Sequence, residues 1–576
     1  MTIRSEIKEM ISEIVGENVQ FTVEIPENTN YGDYATNIAL MLAKKEKRNP
    51  ADVAREIISK LQSLNSKFFG KIEVANGFIN FYLKPELIQN QVKEILKQNK
   101  KYGSNKTGKG KTVIIDYSSP NIAKKMHVGH LRSTIIGAAI YNIYKFLGYK
   151  VIGDNHLGDW GTQFGIMISA IKLFYSPYKG FKDDKKMQSL KSLTVVDMLS
   201  LYVDYNKKME DPINGLTDLP KEEFKKLEDG DEENKAIWDV LRKKSLEEFD
   251  KIYNILGIEF DECRGESYYE PILKEITRDC ENLDKKYYFQ SDDAFLIDLG
   301  EFNMTPLLMK KSDGATLYAT RELATIKERA KDNPEKIIYV VGNEQSLHFQ
   351  QSFQAAELLG YVSKNKLVHV KFGLILDENH KKLATRSGRF IGAEDLINQI
   401  IELAEKIIKE KNPSLSEKVR KEAAKVIGVG ALKYNDLSQN RQSDIVFDWN
   451  KMLSFDGNSA PYILYTYVRL QSIIGKTKFA GSFNSEFLKE NEELNVIKEL
   501  IKFSDVVEDS AESFQMNNLA NYLYGLASVA NNFYEKFNIL KVDHDIRSAR
   551  LALIKAVTVV LKNGLNLLGI DTIEKM

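Results

Sequence analysis

The chain has 576 residues, of which 43% are hydrophobic, and its 81 basic and 81 acidic side chains give a formal net charge of zero. This length allows roughly three or four domains with buried cores, and the composition is that of a globular rather than a disordered protein. A balanced charge creates no global field that attracts nucleic acid, so an RNA partner would require local basic patches.

The cysteine count and the apolar runs exclude further classes. The two cysteines, Cys263 and Cys280, are too few for a disulfide framework or a four-cysteine zinc site, so no protein-bound structural metal is expected. The first residues are charged and lack an apolar signal core, and no apolar run is long enough to cross a membrane. The sequence predicts a cytoplasmic protein without a membrane partner.

Residues 1–100 have the pattern of a small α+β module. Stretches of helical periodicity alternate with strand-like runs, at 3–14, 21–25, 34–46, 51–62 and 77–83. The module contains the run Gly-Asp-Tyr-Ala-Thr-Asn at 32–37, in which Asp33 is also a candidate helix N-cap. Lysines, glycines and serine at 97–111 predict a solvated linker after it.

A β-loop-α-β unit follows at 112–154. A β-branched run at 112–116 predicts a buried strand, apolar residues recur at helical spacing from 135 to 147, and 150–154 predicts a second strand. The loop at 118–130 reads Ser-Ser-Pro-Asn-Ile-Ala-Lys-Lys-Met-His-Val-Gly-His. In such units the ligand binds outside the carboxyl ends of the strands, against the helix N-terminus.

The paired histidines of this loop suit phosphate chemistry. His127 and His130 could donate hydrogen bonds to phosphate oxygens whose charge grows during a reaction. Gly129 between them lacks a side chain, so a flat ring could lie against its backbone. Capping or core packing is the alternative explanation for two histidines near a helix start.

The loop, continued by Leu-Arg-Ser-Thr at 131–134, closely resembles the signature of class I aminoacyl-tRNA synthetases, and specifically of the arginyl enzymes. The run at 153–165, Gly-Asp-Asn-His-Leu-Gly-Asp-Trp-Gly-Thr-Gln-Phe-Gly, matches that family almost residue for residue. The run at 32–37 resembles the family's N-terminal domain, which contacts the elbow of tRNA. The resemblance implies an arginine–tRNA ligase that uses ATP with Mg²⁺ and acts on L-arginine and tRNA(Arg).

The rest of the chain fits this resemblance. Charged residues dominate from about 180 to 290, with helical periodicity at 236–256, and predict a helical insertion without visible chemistry of its own. Strand-like runs resume at 294–299, 337–341 and 368–376, and the chain becomes helical beyond about 412. The resemblance implies three domains with a monomeric chain: a tRNA-elbow-binding α+β domain at 1–100, a Rossmann-type parallel-sheet catalytic domain at 112–411 and an α-helical anticodon-binding domain at 412–576.

A second basic loop accompanies the histidines. The run Lys-Leu-Ala-Thr-Arg at 382–386 follows a strand-like run, and such a loop can close on a polyphosphate, although a solvated basic turn is the alternative. The resemblance implies that ATP contacts His127, Gly129, His130, Lys382 and Arg386. The residues expected to stabilise the transition state are His127, His130, Lys124 and Lys382.

An arginine substrate requires carboxylates, because its guanidinium group is always charged and pairs with them bidentately. Asp116 at the end of the first strand, and Glu322 four residues after Tyr318 on one helical face, are the candidates. The resemblance implies that arginine contacts Asp116, Ser119, Asn121, Tyr318, Glu322 and Gln345. Ser119 and Asn121 would face the amino-acid end, and the other four would surround the guanidinium group.

The tyrosines of the C-terminal region offer stacking faces and Arg469 offers a cation, which unstacked RNA bases need. Tyrosines at this spacing also fill helical cores. The resemblance to the family's helical anticodon-binding domain implies that tRNA contacts Tyr462, Tyr465, Arg469 and Met576.

The sequence departs from the family pattern at three places. Glu322 replaces the usual Asp, which leaves the pocket geometry open, and Lys125 replaces the usual Pro. The loop at 382–386 replaces the Lys-Met-Ser-Lys-Ser that is typical of class I enzymes, and the resemblance to arginyl enzymes implies that Lys124 compensates. The alternatives are a catalytically silent paralogue that binds RNA, another class I ligase and a nucleotidylyltransferase.

Overall fold

The structure, a computed structural model, describes residues 2–16, 19–26, 28–63, 68–178, 190–210, 216–291, 294–310, 318–377, 379–381, 392–477 and 481–576. The chain forms two compact units. The terminal unit comprises residues Met1–Asn105, Ser454–Leu567 and Asp571–Met576, and the central unit comprises Lys106–Leu453 and Leu568–Ile570.

The N-terminal part of the terminal unit is an α+β module. Its helices are α1 (Ile3–Val15), α2 (Ile38–Glu46), α3 (Pro50–Ser63) and α4 (Pro85–Gln98). Its strands are β1 (Val23–Glu24), β2 (Tyr34–Thr36), β3 (Phe69–Ala75) and β4 (Phe78–Leu83), which form an antiparallel sheet in the order β1-β2-β4-β3. The expected helix over 34–46 is wrong at its start because residues 34–36 pair with β4. Asp33 therefore caps no helix; its Oδ2 accepts a hydrogen bond from Leu83 N at 2.8 Å.

The central unit carries the other strands of the described residues. They are β5 (Thr112–Asp116), β6 (Lys150–Asp154), β7 (Tyr288–Ser291), β8 (Ala294–Ile297), β9 (Leu307–Lys310), β10 (Lys336–Tyr339), β11 (Leu367–His369), β12 (Ile375–Leu376) and β13 (Ile445–Val446). A parallel sheet has the order β11-β10-β5-β6, which confirms the predicted Rossmann-type fold. Both faces of β5 are buried, which explains its uninterrupted apolar run. Strands β7–β9 form a separate antiparallel sheet, and β12 pairs with β13.

The expected single strand over 368–376 is wrong, because the chain makes two short strands, β11 and β12. Between them Phe372 bridges to Gly342, and Gly373 passes so close to Ser443 that a Cβ at this position would lie 2.6 Å from the Ser443 carbonyl carbon. The backbone needs this glycine to turn from one sheet to the other.

The helices of the central unit surround the parallel sheet and form the insertion. They are α5 (Val128–Phe146), α6 (Thr162–Phe174), α7 (Val195–Met209), α8 (Leu219–Glu228), α9 (Glu232–Leu256), α10 (Leu273–Glu281), α11 (Tyr318–Ala330), α12 (Ser346–Leu358), α13 (Ala393–Lys411), α14 (Glu417–Leu437) and α15 (Trp449–Met452). Helix α14 packs on α5 through a buried ion pair. The guanidinium of Arg132 on α5, with 0% of the residue exposed, donates from Nε to Asp436 Oδ1 on α14 at 3.0 Å.

The helical part of the terminal unit consists of α16 (Ala460–Gly475), α17 (Asn491–Ser513), α18 (Met516–Lys536) and α19 (His544–Leu567). Helix α4 of the N-terminal module packs on α17 and α19. None of the helices in the described ranges combines the length and apolarity that crossing a membrane requires.

Charged side chains join the N-terminal module to α17. Arg4 donates to Asp509 Oδ1 at 2.7 Å, and Tyr34 donates its hydroxyl to Asp505 Oδ2 at 2.9 Å. Lys498 pairs with Asp33 at 2.8 Å. Burial raises the pKa of Asp505 to about 6. Two side chains of the 32–37 run thus face α17, and the elbow contact implied by the resemblance stays a prediction.

Candidate active site

A cavity of about 790 Å³ lies at the carboxyl ends of β5, β6 and β10. Its wall combines the loop after β5 with the first turns of α5, α11 and α12. It brings together nine of the residues that the sequence singled out: Asp116, Ser119, Asn121, His127, Gly129, His130, Tyr318, Glu322 and Gln345. Lys124 is not among its lining residues, and Lys382 and Arg386 lie outside the described residues.

The loop between β5 and α5 contains three non-glycine residues with positive φ. Ser118, Ser119 and Ala123 have φ of 71°, 47° and 60°, a region that L-residues adopt only when their surroundings hold them there. Hydrogen bonds hold each of the three amides. Ser118 N donates to the Ser133 hydroxyl at 2.9 Å, Ser119 N to the Asn155 side chain at 3.1 Å, and Ala123 N to the Ser245 hydroxyl at 2.8 Å.

His127 and His130 form the start of α5 and cap it reciprocally. Nδ1 of His127 accepts from Gly129 N at 3.1 Å, and Nδ1 of His130 accepts from His127 N at 3.3 Å. The rings stack with their centroids 3.8 Å apart. The capping alternative and the functional one therefore coexist, because capping occupies only one nitrogen of each ring.

The caps fix the tautomer of both rings. A backbone amide can only donate, so each Nδ1 is unprotonated and a neutral ring carries its proton on Nε2. Burial and the charge of Lys124 lower the pKa of His127, and burial, His127 and Lys124 lower the pKa of His130 to about 3. Both imidazoles are thus neutral at pH 7, and each offers Nε2–H as a donor.

Two glycines allow this arrangement. A Cβ on Gly129 would lie 2.9 Å from Cε1 of His127, so the histidine ring itself takes up this space beside the backbone. A Cβ on Gly158 would lie 1.9 Å from Oδ1 of Asn121. The backbone of Gly158 also forms hydrogen bonds with Pro120 and Ile122, so the run at 153–165 packs against the histidine loop and stabilises it.

Asp116 is engaged by an internal cation. Arg329 on α11 donates from Nη2 to Asp116 Oδ2 at 2.8 Å and to Asp154 Oδ2 at 2.7 Å, and the Ser119 hydroxyl donates to Asp116 Oδ1 at 2.7 Å. Burial opposes the charge of Arg329, but the two carboxylates raise the pKa of its guanidinium well above the usual value. The predicted contact of Asp116 with a substrate guanidinium stays a prediction.

Glu322 projects a carboxylate into the cavity. Its Oε1 is buried and has no hydrogen-bond partner among the described residues, while its Oε2 lies 4.0 Å from Nε2 of His348. Burial alone would raise the pKa of Glu322, but His348, His156 and Arg329 lower it below the usual value. A buried, ionised and incompletely paired carboxylate is a binding group for a cation.

The two remaining predicted arginine contacts lie at the rim. Tyr318 begins α11 and is 74% exposed, and Gln345, just before α12, is also exposed. Tyr318 and Glu322 share one helical face, as the spacing predicted, but only Glu322 is turned inward.

Glu266 is a cavity residue that sequence reasoning missed. Its Oε2 is buried and without a hydrogen-bond partner in the described ranges, and burial raises its pKa. Asp159 anchors the segment by accepting from Ser267 N at 2.9 Å, and Gly265 packs against the Asp159 carboxylate. Glu266 follows a polar loop without periodicity, so no local pattern distinguishes it.

The predicted tRNA residues lie on the terminal unit. Arg469 stacks between two tyrosines, with its Cζ 5.4 Å from the ring centre of Tyr465 and 5.0 Å from that of Tyr534. Tyr465 is 43% exposed. Tyr462 is half-buried, and its hydroxyl accepts from Asn531 at 3.0 Å, while Met576 is half-buried. Within the described ranges, no group of three His, Cys, Asp or Glu side chains could hold a metal ion.

Three family models match this chain. The catalytic domain of class I tRNA synthetases (R) matches residues 91–449, the DALR anticodon binding domain matches 463–576, and the arginyl tRNA synthetase N terminal domain matches 1–83.

Curated relatives and solved structures extend the similarity to the whole chain. An arginine–tRNA ligase of Clostridium botulinum is 40% identical over 586 residues, which cover 99% of this chain and 100% of the relative. One from Halothermothrix orenii is 39% identical over 574 residues, covering 99% and 98%. The arginyl-tRNA synthetase of Plasmodium falciparum is 30% identical, with a TM-score of 0.83 over 100% of both chains. That of Thermus thermophilus shares the fold, with a TM-score of 0.84 at 21% identity over 100% of both chains.

Because the catalytic-domain match alone spans more than half of the chain, and a relative of 40% identity extends over 99% of it, the chain belongs to the arginyl-tRNA synthetase family of class I aminoacyl-tRNA synthetases.

Proposed function

We propose that this chain, an ATP-dependent arginine–tRNA ligase, activates arginine in the cavity of the central unit. A carboxylate oxygen of arginine attacks the α-phosphorus of ATP, the bond to the β-phosphate oxygen breaks, and pyrophosphate leaves. A ribose hydroxyl of the tRNA 3′ end then takes the arginyl group and AMP leaves. Phosphoryl transfer of this kind needs positioning and stabilisation of charge rather than a protein nucleophile.

His127 and His130 stabilise the charge that develops on the α-phosphate. Their capping bonds leave Nε2–H as the donor of each neutral ring, and fixed donors lower a barrier because they need no reorganisation during the reaction. Gly129 lines the same cavity and belongs to the proposed ATP contacts. Lys124, Lys382 and Arg386 supply positive charge to the phosphates, and Mg²⁺ accompanies ATP on its phosphates, where this ion usually binds with several water ligands.

Glu322 binds the guanidinium group at the other end of the substrate. The single observation that carries this assignment is its buried Oε1, which has no hydrogen-bond partner among the described residues. Glu266 faces the same cavity with a second carboxylate oxygen that lacks a hydrogen-bond partner in the part of the chain that the structure describes. Ser119 and Asn121 face the amino-acid end of arginine, and Tyr318 and Gln345 lie at the rim of the cavity. Asp116 stabilises the base of the cavity through its hydrogen bonds with Arg329 and Ser119.

The experiment is ATP–pyrophosphate exchange in the presence of tRNA, with arginine, lysine and citrulline offered separately. Glu322→Gln keeps the shape of the side chain and removes its charge, which costs about 2–5 kcal/mol for a buried partner of a cation. We expect the KM for arginine to rise at least about tenfold and the KM for ATP to change by less than about twofold. Glu322→Asp, which restores the family's usual residue, should retain activity.

The matched control is Glu328→Gln on the same helix, because Glu328 pairs with Lys331 outside the cavity. This variant should leave both KM values unchanged. If the arginine KM of Glu322→Gln equals that of the parent, Glu322 does not bind the guanidinium group. Absence of exchange with every amino acid would favour a silent RNA-binding paralogue instead.

The tRNA is held by the terminal unit, with Tyr462, Tyr465, Arg469 and Met576 on the anticodon side. The exposed ring of Tyr465, with Arg469 packed on it, supports this assignment, because unstacked bases bind aromatic rings and guanidinium planes. A monomeric state and a cytoplasmic location belong to the same proposal, and sedimentation analysis and cell fractionation test them.

A further inference from the structure

The helical insertion contacts the strained loop beside the histidines. Ser245 on α9 is 1% exposed. Its hydroxyl accepts a hydrogen bond from the amide of Ala123 at 2.8 Å and donates one to Leu241 O at 2.8 Å. Ala123 is the loop residue with a φ of 60°. Ala123 is itself buried, so Ser245 provides the hydrogen bond that this unusual backbone conformation requires.

A second contact involves the next residue of the loop. The ammonium of Lys124 lies 5.6 Å from the ring centre of Tyr202 on α7, within the range of a cation–π interaction. The charge of Lys124 acts on both histidines, whose pKa values it lowers. The direction in which the Lys124 side chain leaves the loop depends on the backbone of Ala123, and its terminus rests on Tyr202.

We propose that Ser245 and Tyr202 are positioning residues, through which the insertion fixes the direction of the Lys124 side chain for the activation step. This inference rests on the proposed role of Lys124 in stabilising the transition state. Without the Ser245 hydroxyl the amide of Ala123 is buried and loses its acceptor, so nothing opposes relaxation of this residue from positive to negative φ. Such relaxation changes the direction in which the Lys124 side chain leaves the loop and takes its ammonium off the ring of Tyr202.

Ser245→Ala tests the first contact. We expect kcat for ATP–pyrophosphate exchange to fall roughly tenfold, while the KM for arginine changes by less than about twofold, because the guanidinium end of the cavity is untouched. Ser169→Ala is the matched control: Ser169 on α6 is also fully buried and donates to a carbonyl four residues earlier, Gly165 O, but none of its hydrogen bonds within the described ranges reaches the loop. It should leave kcat within about twofold.

The second contact is tested by a pair of variants. Tyr202→Phe keeps the aromatic face and should retain kcat, whereas Tyr202→Leu removes it and should lower kcat by roughly threefold to tenfold. Thermal unfolding of every variant is recorded alongside. Equal losses in Phe and Leu variants, or a kcat loss that tracks the melting temperature across all variants including Ser169→Ala, would overturn the inference.

A double-mutant cycle separates this inference from the proposed function. If Ser245 acts through Lys124, then Ser245→Ala in a Lys124→Ala background should cost less than about twofold. An undiminished cost in that background would overturn the positioning role and leave Lys124 in the mechanism. A full kcat in Lys124→Ala alone would instead show that the proposed role of Lys124 fails, and the inference with it.

Discussion

The two ends of the cavity hold titratable side chains in opposite charge states, neutral histidines at one end and an ionised glutamate at the other. At one end, His127 and His130 remain neutral because burial and Lys124 lower their pKa values, so their Nε2–H groups are donors. At the other end, Glu322 remains anionic because His348, His156 and Arg329 outweigh its burial. The site thus keeps neutral donors for phosphate and an anion for guanidinium within one cavity.

His127→Asn tests the donor role without removing the helix cap, because Asn is itself a strong N-cap residue. We expect exchange to fall about 10²–10³-fold, the cost of removing one preorganised donor, with little change in the melting temperature. The exposed His544→Asn at the start of α19 is the control and should leave exchange unchanged. Near-normal exchange in His127→Asn would exclude the ring from the mechanism.

His130 should also make stability depend on pH. Its pKa is about 3 in the folded chain and about 6.5 in an unfolded one, so unfolding takes up a proton between these values. The stabilisation is fully present above about pH 6.5 and is lost as the pH falls toward about 3. Denaturant titrations from pH 7.5 to 4.5 should therefore show a smaller loss of the free energy of unfolding in His130→Gln than in the parent. Parallel losses in both proteins would contradict the lowered pKa.

At the scale of elements, the insertion is more than a solvated appendage. Ser245 and Tyr253 on α9 reach the loop that carries the histidines: the Tyr253 hydroxyl contacts Ser118 Oγ at 2.8 Å and accepts from Asn155 at 3.1 Å. Charged surface positions dominate the sequence of this region. The helical periodicity at 236–256 indicates the buried face on which Ser245 and Tyr253 lie, but it does not reveal that this face contacts the histidine loop. A region predicted to have no chemistry of its own therefore supports the residues that have it.

The sequence predicted those features whose contacts lie within a few residues of each other in the chain. The β-loop-α-β unit and the histidine caps depend on neighbours within a few residues, and the expected strand, loop and helix are present. The partner of Asp116 could not be predicted, because Arg329 lies 213 positions away and only the folded sheet brings them together. Glu266 and the break between β11 and β12 were missed for the same reason, since each depends on contacts with distant segments.

The aromatic face of α16 gives a prediction for tRNA. Tyr465→Ala removes an exposed ring that stacks on Arg469, and loss of one stacked base costs about 1–3 kcal/mol. We expect the KM for tRNA to rise roughly fivefold to a hundredfold in aminoacylation, with the KM values for arginine and ATP unchanged. Tyr465→Phe keeps the ring and should behave like the parent. A similar defect in both variants would place the role of Tyr465 in its hydroxyl rather than in stacking.

At the scale of the whole molecule, the units do not follow the order of the chain. The terminal unit takes its N-terminal module and its helices from opposite ends of the sequence, and the central unit continues to Leu453. Helices α13 and α14 pack against each other on either side of position 412, where the sequence predicted a domain boundary. The choice of boundary therefore becomes a question about stability.

Two truncated chains should answer it. A fragment of residues 106–411 lacks Asp436 and leaves the buried Arg132 without a carboxylate, which costs about 3–5 kcal/mol. A fragment of residues 106–453 keeps the pair and should fold and bind ATP, as calorimetry would show, but should not charge tRNA. We expect the shorter fragment to melt at a markedly lower temperature. Equal melting temperatures would support a boundary at 412.

The way in which Arg4, Asp33 and Tyr34 contact α17 also has a consequence for synthesis on the ribosome. These residues emerge early, but Lys498 and Asp505 are translated about 470 residues after Asp33 and Tyr34, and at about 5–20 residues per second this delay is about 25–95 s. Throughout that interval Tyr34 and the face of α4 that packs on α17 and α19 are exposed to solvent, because these helices have not yet been synthesised. Its own core, centred on the fully buried Phe81, must keep it soluble meanwhile. Weakening that core should therefore reduce the yield of folded chains more than the stability of those that finish.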